Sequence, residues 1–133
     1  MNDEVTWDDI QNLTFDPWQD HAADLIDRHL KYIGAIELLQ ESYSFDQIRF
    51  WVRKETGQIL YAEDSGCSCP IPFGDTRVKD LLELPSAYPE TILERKPNVY
   101  IPRVPMSERR RDLRRIIDRA MDYVQQNLEE GRL

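Results

Sequence analysis

The chain has 133 residues, two cysteines and a net charge of −8, which suits one globular domain without a disulfide framework. No apolar run approaches the ~20 residues of a membrane span, and the acidic N-terminus lacks the apolar stretch of a secretory signal, so we expect a cytoplasmic protein. The acidity also disfavours general nucleic-acid binding, because phosphate groups repel a negative surface.

The excess negative charge lies at the start of the chain. Residues 1–27 contain eight Asp or Glu and no Lys or Arg, whereas the rest of the chain carries 17 acids and 17 bases. Residues 1–15 have no sustained hydrophobic period, although Trp7, Ile10, Leu13 and Phe15 could dock on a core. We therefore predict an acidic N-terminal arm over residues 1–15 and a single domain over residues 16–133.

A first helix is predicted from Asp16 as N-cap and Pro17 as the first helical residue. Apolar residues then recur at three-to-four spacing for about four turns, as far as Ile33. These positions are Trp18, Ala22, Leu25, Ile26, Leu30 and Ile33. On the opposite face lie Asp20, Asp24 and Asp27.

From Gly34 the pattern is typical of strands, which we predict over residues 35–44, 47–54 and 58–63. In the second strand Ile48, Phe50 and Val52 alternate with Arg49, Trp51 and Arg53. This alternation predicts one buried face and one polar-aromatic face. Residues 54–57 fit a hairpin loop with Gly57 in the left-handed conformation.

The C-terminal half reads as short helices followed by one long helix. Asp75 or Thr76 would cap a helix ending before Pro85, Pro89 would open another, and residues 99–101 would add an edge strand. Ser107 is the predicted N-cap of the last helix, with Gly131 as its C-terminal cap. Its apolar stripe is Leu113, Ile116, Ile117, Ala120, Met121, Val124 and Leu128. The predicted fold is α+β, a three- to four-stranded antiparallel meander sheet with N-terminal and C-terminal amphipathic helices packed on one face.

Residues 64–73 form the most distinctive segment, Asp-Ser-Gly-Cys-Ser-Cys-Pro-Ile-Pro-Phe. Asp64 is expected to form an Asx-turn, Gly66 to take a positive φ and Phe73 to anchor the segment in the core. The prolines would order the path between them, giving a rigid loop that forms part of a contact surface. The candidate binding residues are Asp64, Ser65, Gly66, Cys67, Cys69, Pro70, Pro72 and Phe73.

A metal or thiol site is an alternative for the same loop. Zinc sites usually separate paired cysteines by two to four residues, whereas here one residue separates them. His21 and His29 would be ~12 Å apart on a continuous helix, so both could not easily reach one ion. The alternative site is therefore Cys67, Cys69, Asp64 and His21 with zinc, and the leading expectation is no cofactor. A reactive thiol lacks a visible base, and the neighbouring acids disfavour a thiolate.

Arginines dominate the start of the last helix, where positive charge opposes the helix dipole. They are Arg109, Arg110, Arg111, Arg114, Arg115 and Arg119. The compensating charge would come from the acidic arm or the Asp20, Asp24 and Asp27 stripe, within the chain or across a homodimer. Alternatively, Arg110, Arg111, Arg114 and Arg115 would bind a phosphate or nucleic acid. A solvated face with weak ion pairs explains the same residues.

The stretch 43–75 resembles a family of small uncharacterised proteins of actinobacteriophages. That family's signature loop is Asp-Ser-Gly-Cys-Ser-Cys-Pro-x-Pro-Phe, which residues 64–73 match throughout. The resemblance implies a phage accessory protein in the host cytoplasm and implies no activity. Because no catalytic set is visible, the leading hypothesis is non-enzymatic binding of a host or phage macromolecule, with a host-takeover or counter-defence role. The alternatives are a metal- or thiol-dependent site, including an enzymatic one, and phosphate or nucleic-acid binding.

Overall fold

The computed structural model describes residues 5–16, 21–39, 44–67, 72–94 and 103–131. A four-stranded antiparallel sheet in the order β1-β2-β3-β4 forms its centre. The strands are β1 Leu30–Glu37, β2 Ser44–Arg53, β3 Ile59–Cys67 and β4 Leu82–Glu83. The helices are α1 Ala22–Asp27 and α2 Met106–Glu129, with 3-10 turns at Asp8–Ile10, Val78–Asp80 and Pro89–Glu94. The predicted α+β class and antiparallel meander are confirmed.

The hairpin of β2 and β3 forms where the sequence predicts it. Phe50 pairs with Tyr61 and Val52 with Ile59, and the Gly57 N–H donates to the carbonyl of Arg53 at 2.8 Å. Gly57 has a φ of 77°, which a residue with a Cβ rarely adopts. The turn chemistry therefore specifies this register locally.

The first helix is much shorter than the sequence predicts. It covers only Ala22–Asp27, and Leu30–Glu37 form strand β1 on the edge of β2; residues 17–20, with the predicted start at Pro17, lie outside the described residues. A bulge between Tyr32 and Gly34 shifts the alternation of β1 by one residue. Leu30 thus packs on one face of the sheet, and Ile33 and Ile36 pack on the other. The helical prediction was wrong because Leu30 and Ile33 have the spacing of one helix face but belong to opposite faces of the sheet.

The sheet is covered on both faces by two clusters of buried side chains. The N-terminal cluster contains Ile10, Ile26, Leu30, Trp51, Leu60, Ala62, Phe73 and Val78. The helix cluster contains Ile36, Leu38, Ile48, Phe50, Ile92, Leu93, Leu113 and Ile116. Since neighbouring side chains of a strand point to opposite faces, Trp51 and Phe50 belong to opposite sides of β2. Helix α2 therefore covers one face, while α1 contributes Ile26 to the other. The predicted packing of both helices on one face is wrong, because the apolar side of α1 joins the N-terminal cluster.

The polar-aromatic face of β2 is buried rather than solvated. The ring of Trp51 stacks on Phe15 with centroids 4.8 Å apart. The guanidinium of Arg53 lies 4.3 Å from the Trp7 ring centroid, and that of Arg49 lies 4.3 Å from the Phe73 ring centroid. These cation–π contacts allow the arginine stems to be half-buried while the charges remain partnered.

Residues 5–16 supply much of this cover. The Val78 N–H donates to the Leu13 carbonyl at 3.0 Å, and the Phe15 N–H donates to the Thr76 carbonyl at 3.2 Å. Ile10 is fully buried. The described part of the predicted arm thus packs on the sheet and on the segment that follows β3.

A buried histidine ties this N-terminal segment to the hairpin. His29 Nε2 lies 2.8 Å from the carbonyl of Val5, and its Nδ1 contacts the Glu55 carboxylate. Burial alone raises the pKa of Glu55, but the hydrogen bond from His29 and the nearby charges of His29 and Arg53 outweigh it and lower that pKa. Glu55 therefore stabilises the fold above its ordinary pKa, and this contribution is lost as the pH falls through the lowered value.

Glu55→Gln is expected to lower the free energy of unfolding near neutral pH and to flatten its decline in acid. The neutral amide cannot titrate. The variant therefore lacks the loss of stability that protonation of Glu55 causes in the wild type below about pH 4.5. Urea unfolding at several pH values between about 3 and 7 measures this. Parallel curves for the two proteins would contradict the assignment.

The remaining elements agree with the sequence predictions in part. Pro89 opens a 3-10 turn as predicted, whereas the helix predicted beyond Thr76 is a 3-10 turn at Val78–Asp80 followed by β4. Helix α2 begins with Pro105 as its N-cap rather than Ser107, because the fixed φ of proline suits a helix start without a side-chain cap. Gly131 has a φ of 73° and its N–H donates to the Leu128 carbonyl, which confirms the C-terminal cap. The predicted strand at 99–101 lies outside the described residues.

Candidate functional site

Strand β3 extends further than predicted and takes in the start of the 64–73 segment. Ser44 pairs with Cys67 and Phe45 pairs with Gly66, so Asp64, Ser65 and Gly66 continue the strand. The predicted turn at Gly66 is wrong, because β2 begins three residues earlier than expected and supplies a pairing partner. Glycine here allows the strand to continue but adds no side chain to the surface.

The carboxylate of Asp64 closes the loop after β3. One of its oxygens accepts a hydrogen bond from the Ser65 N–H at 2.9 Å, and the other accepts one from the Phe73 N–H at 2.8 Å. The predicted local Asx-turn is thus replaced by a bridge across nine residues. Phe73 is fully buried, as predicted, and takes a φ of 64°. The bridge holds this strained residue in place and fixes where the chain returns to the sheet.

Asp64→Ala is expected to cost about 1–2 kcal/mol of stability, because charge-assisted hydrogen bonds to two backbone N–H groups are lost. Amide hydrogen exchange should rise at Phe73 and the residues around it. The exposed Asp75→Ala is the control and should change stability by no more than about 0.5 kcal/mol. Equal effects of the two variants would refute a bridging role for Asp64.

A groove of about 600 Å³ opens beside this bridge. Among the described residues β4 pairs with β3 only at Leu60 and Tyr61, because the chain before it turns away as a 3-10 helix. The groove lies between that 3-10 helix and the second half of β3. Its lining residues are Phe45, Tyr61, Ala62, Glu63, Asp64, Ser65, Asp75, Thr76, Asp80 and Leu82.

The groove is lined by apolar and acidic side chains, called here its apolar floor and its acidic rim. Phe45, Tyr61 and Leu82 supply apolar surface, and the Leu82 side chain is 56% exposed. Glu63, Asp75 and Asp80 are all exposed. Burial, and then the charge of Glu63, raise the pKa of Tyr61, so its hydroxyl stays protonated and available as a donor. The surface is therefore suited to a ligand with both apolar and cationic groups.

The structure divides the predicted binding residues between surface and core. Asp64 and Ser65 line the groove, Pro72 is half-buried in a turn, and Phe73 lies beneath the surface in the N-terminal cluster. The backbone of Cys67 ends β3 opposite Ser44. The Cys67 side chain, and the whole of Cys69 and Pro70, lie outside the described residues.

The described residues offer little to a metal ion. His21 is exposed at the start of α1, and both ring nitrogens of His29 already have partners. Within the described ranges no three His, Cys, Asp or Glu side chains form a group that would hold an ion. The zinc alternative thus depends on cysteine side chains that are not described.

The arginine-rich start of α2 separates into one structural residue and several exposed ones. Arg109 is buried and donates to the carbonyls of Val104, Leu93 and Leu38 at 2.9, 3.0 and 3.2 Å. It therefore supports the fold and does not belong to an anion-binding surface. The signal was present in the sequence, because Arg109 precedes Leu113, Ile116 and Ala120 at the four-three-four spacing of the buried stripe.

The residues of the predicted anion patch lie on two different sides of helix α2. Arg110 and Arg114 lie beside Pro89 and Glu90 on one flank. Arg115 lies on the other flank, beside Glu37 on β1, and its guanidinium is 3.9 Å from Asp112. Arg110, Arg111 and Arg114 are exposed, and no carboxylate of the described residues lies within 4 Å of them.

One protein family is similar to this chain over most of its length. Its profile, described as a domain of unknown function, DUF7574, matches residues 19–126. The chain belongs to the DUF7574 family. The matched range includes the whole sheet and most of α2, and DUF7574 residues thus form the groove and the arginine flanks. Membership in an uncharacterised family is as the sequence predicted, and the phage origin stays a prediction.

The other comparisons add no relative to the DUF7574 match. No curated protein and no solved structure gives a significant match. Among the described helices, none combines the length and apolar content needed to cross a bilayer.

Proposed function

We propose that this DUF7574 protein is a non-enzymatic binding protein whose groove beside β3 takes an extended, basic segment of another protein. The observation that carries the proposal is the groove itself, with an apolar floor next to an acidic rim. An extended segment fits because the groove follows residues 61–65 of β3, with Asp75, Thr76 and Asp80 on its other side. Alternate side chains of such a segment would pack on the apolar floor, and its lysines or arginines would face the acidic rim.

The rigidity of the walls supports this function. The Asp64 bridge and the burial of Phe73 hold Phe73 against the end of β3, so little ordering of this side of the groove is needed when a partner binds. The exposed Leu82 gives the groove a contact for an aromatic side chain of the partner, and Trp and Tyr are among the residues that contribute most to interfaces.

The setting of this binding is proposed from the loop signature in residues 64–73. It supports a phage accessory protein that acts on a host or phage protein in the cytoplasm of the infected cell. A basic partner segment agrees with a chain whose net charge is −8, because long-range attraction would speed the encounter.

Selection of peptides from a random displayed library tests the proposal without a known partner. Peptides selected on the wild type should be enriched in Lys or Arg next to aromatic or aliphatic residues. Asp75→Lys and Leu82→Lys should each weaken the selected peptides by at least about tenfold, measured by fluorescence anisotropy. Both side chains are exposed, so both variants should remain folded.

The matched control is Asp24→Lys on α1, which changes the net charge as Asp75→Lys does but lies outside the groove. It should leave affinity within about twofold at physiological salt, where charges beyond ~8 Å are screened. Selection of no peptide above background, or equal weakening by the control, would overturn the groove as the binding site.

Anion binding by α2 is a second proposal, carried by the exposed Arg110, Arg111 and Arg114. A labelled oligonucleotide at low salt is the probe. Binding that Arg111→Glu weakens at least fivefold and added salt abolishes would support it, whereas no binding at low salt would exclude it.

A further inference from the structure

Helix α2 carries two apolar seams, of which the sheet covers only one. The covered seam is Arg109, Leu113, Ile116, Ala120 and Asn127, all buried. The second seam is displaced by one residue and consists of Ile117, Met121, Val124 and Leu128. Met121 and Leu128 are 61% and 51% exposed, and Val124 is half-buried. Ile117 is half-buried and packs against the helix cluster.

The spacing of the second seam is that of a coiled coil. Its residues follow each other at intervals of four, three and four, which places all of them on one line along the helix. Arg110 and Arg114 continue the same line toward the N-terminus of α2. Such a seam is buried when a second helix packs its own side chains between these residues.

The charges along α2 specify the direction of that second helix. The exposed arginines all precede Ala120 and outnumber the exposed acids of that half, Glu108 and Asp118. Residues 120–131 carry the exposed acids Asp122, Glu129 and Glu130 and no Lys or Arg. An antiparallel helix with the same charge order brings its acidic half to the basic half of α2. The two helix dipoles also oppose each other favourably in this arrangement.

We propose that this protein forms a homodimer in which the second seams of two α2 helices pack against each other in an antiparallel manner. A second copy supplies both the apolar seam and the opposed charge order, because a two-fold axis pairs the same patch on the two copies. The axis would pass between Met121 and Val124, so that Ile117 faces Leu128 of the second copy. Arg114 then lies at about the level of Glu129 of the second copy. The groove beside β3 takes no part in this contact, so the inference is independent of the proposed groove function, whereas Arg114 is shared with the proposed anion site.

Sedimentation equilibrium over a range of concentrations tests the dimer. The wild type should show a monomer–dimer equilibrium, and Met121→Lys should raise the dissociation constant by at least about tenfold. Gln126→Lys is the matched control, because it adds the same charge to an exposed position of the same helix outside the seam. It should change the dissociation constant by less than about twofold. Circular dichroism would show that both variants remain folded.

A charge exchange tests the antiparallel direction. Arg114→Glu and Glu129→Lys should each weaken the dimer by about three- to tenfold, and the double variant should restore the wild-type constant to within about twofold. The two positions lie about 22 Å apart on one helix, so the rescue can only arise between copies. A wild type that stays monomeric at about 0.5 mM, or a double variant without rescue, would overturn the proposal.

Discussion

Arg109→Met is expected to lower the free energy of unfolding by about 3–5 kcal/mol, because the methionine side chain fills the space but donates no hydrogen bond. The guanidinium of Arg109 donates to Val104 before α2, Leu93 in a 3-10 turn and Leu38 after β1. Without it, the Val104 and Leu93 carbonyls lose this charged donor, and the Leu38 carbonyl keeps only the bond from the Val104 N–H. Burial, together with the charge of Arg103, lowers the pKa of Arg109, while Asp46 raises it, and an arginine remains charged under such conditions.

The control for Arg109 is its neighbour. Arg110→Met removes the same group from an exposed position and should change stability by no more than about 0.5 kcal/mol. Arg109→Lys keeps the charge but presents one ammonium group instead of the planar fork, and should recover less than half of the loss. Guanidinium unfolding measured by tryptophan fluorescence compares the four proteins. A lysine variant as stable as the wild type would show that charge alone, and not the three-way bonding, matters here.

Phe73→Ala is expected to cost about 3–5 kcal/mol, which is the range for truncating a fully buried phenylalanine. The Phe73 ring contacts Trp51 edge to face with centroids 6.4 Å apart, and the Arg49 guanidinium lies over it. Alanine removes these contacts and still carries the unfavourable φ of 64°. Residues 73–76 should therefore loosen, with higher hydrogen exchange at Asp75 and Thr76 on the side of the groove.

Tyr88→Ala is a close control for Phe73. Tyr88 is also an aromatic residue with a positive φ, 55°, but its side chain is 78% exposed. The substitution should change the free energy of unfolding by no more than about 0.5 kcal/mol. If both variants lost the same stability, backbone conformation rather than burial of the ring would explain the cost at Phe73.

The candidate site was predicted in part. The anchoring role of Phe73 follows from an aromatic residue at the end of a proline-rich loop, and the structure places it in the core. The acidic rim could not be predicted, because Glu63, Asp75 and Asp80 are brought together by the turn before β4 and not by their spacing. The same is true of the bridge from Asp64 to Phe73, which depends on where β3 ends.

The local features of the chain were determined by the sequence itself. Gly57 sets the hairpin, the alternation of Ile48, Phe50 and Val52 sets the strand and its buried face, and the spacing from Leu113 to Leu128 sets the long helix. These depend on backbone conformation and on side-chain periods of two or 3.6 residues, which act between near neighbours in the chain.

The tertiary structure decided the features that depend on pairing between distant segments. Residues 30–33 satisfy a helical period, but they form the start of β1 because β2 offers them backbone hydrogen bonds along its edge. The polar-aromatic face of β2 is buried because residues 5–16 cover it, and Arg109 is buried because three separate segments present carbonyls to it. Buried backbone groups require partners wherever the chain supplies them, and that requirement overrides local preference.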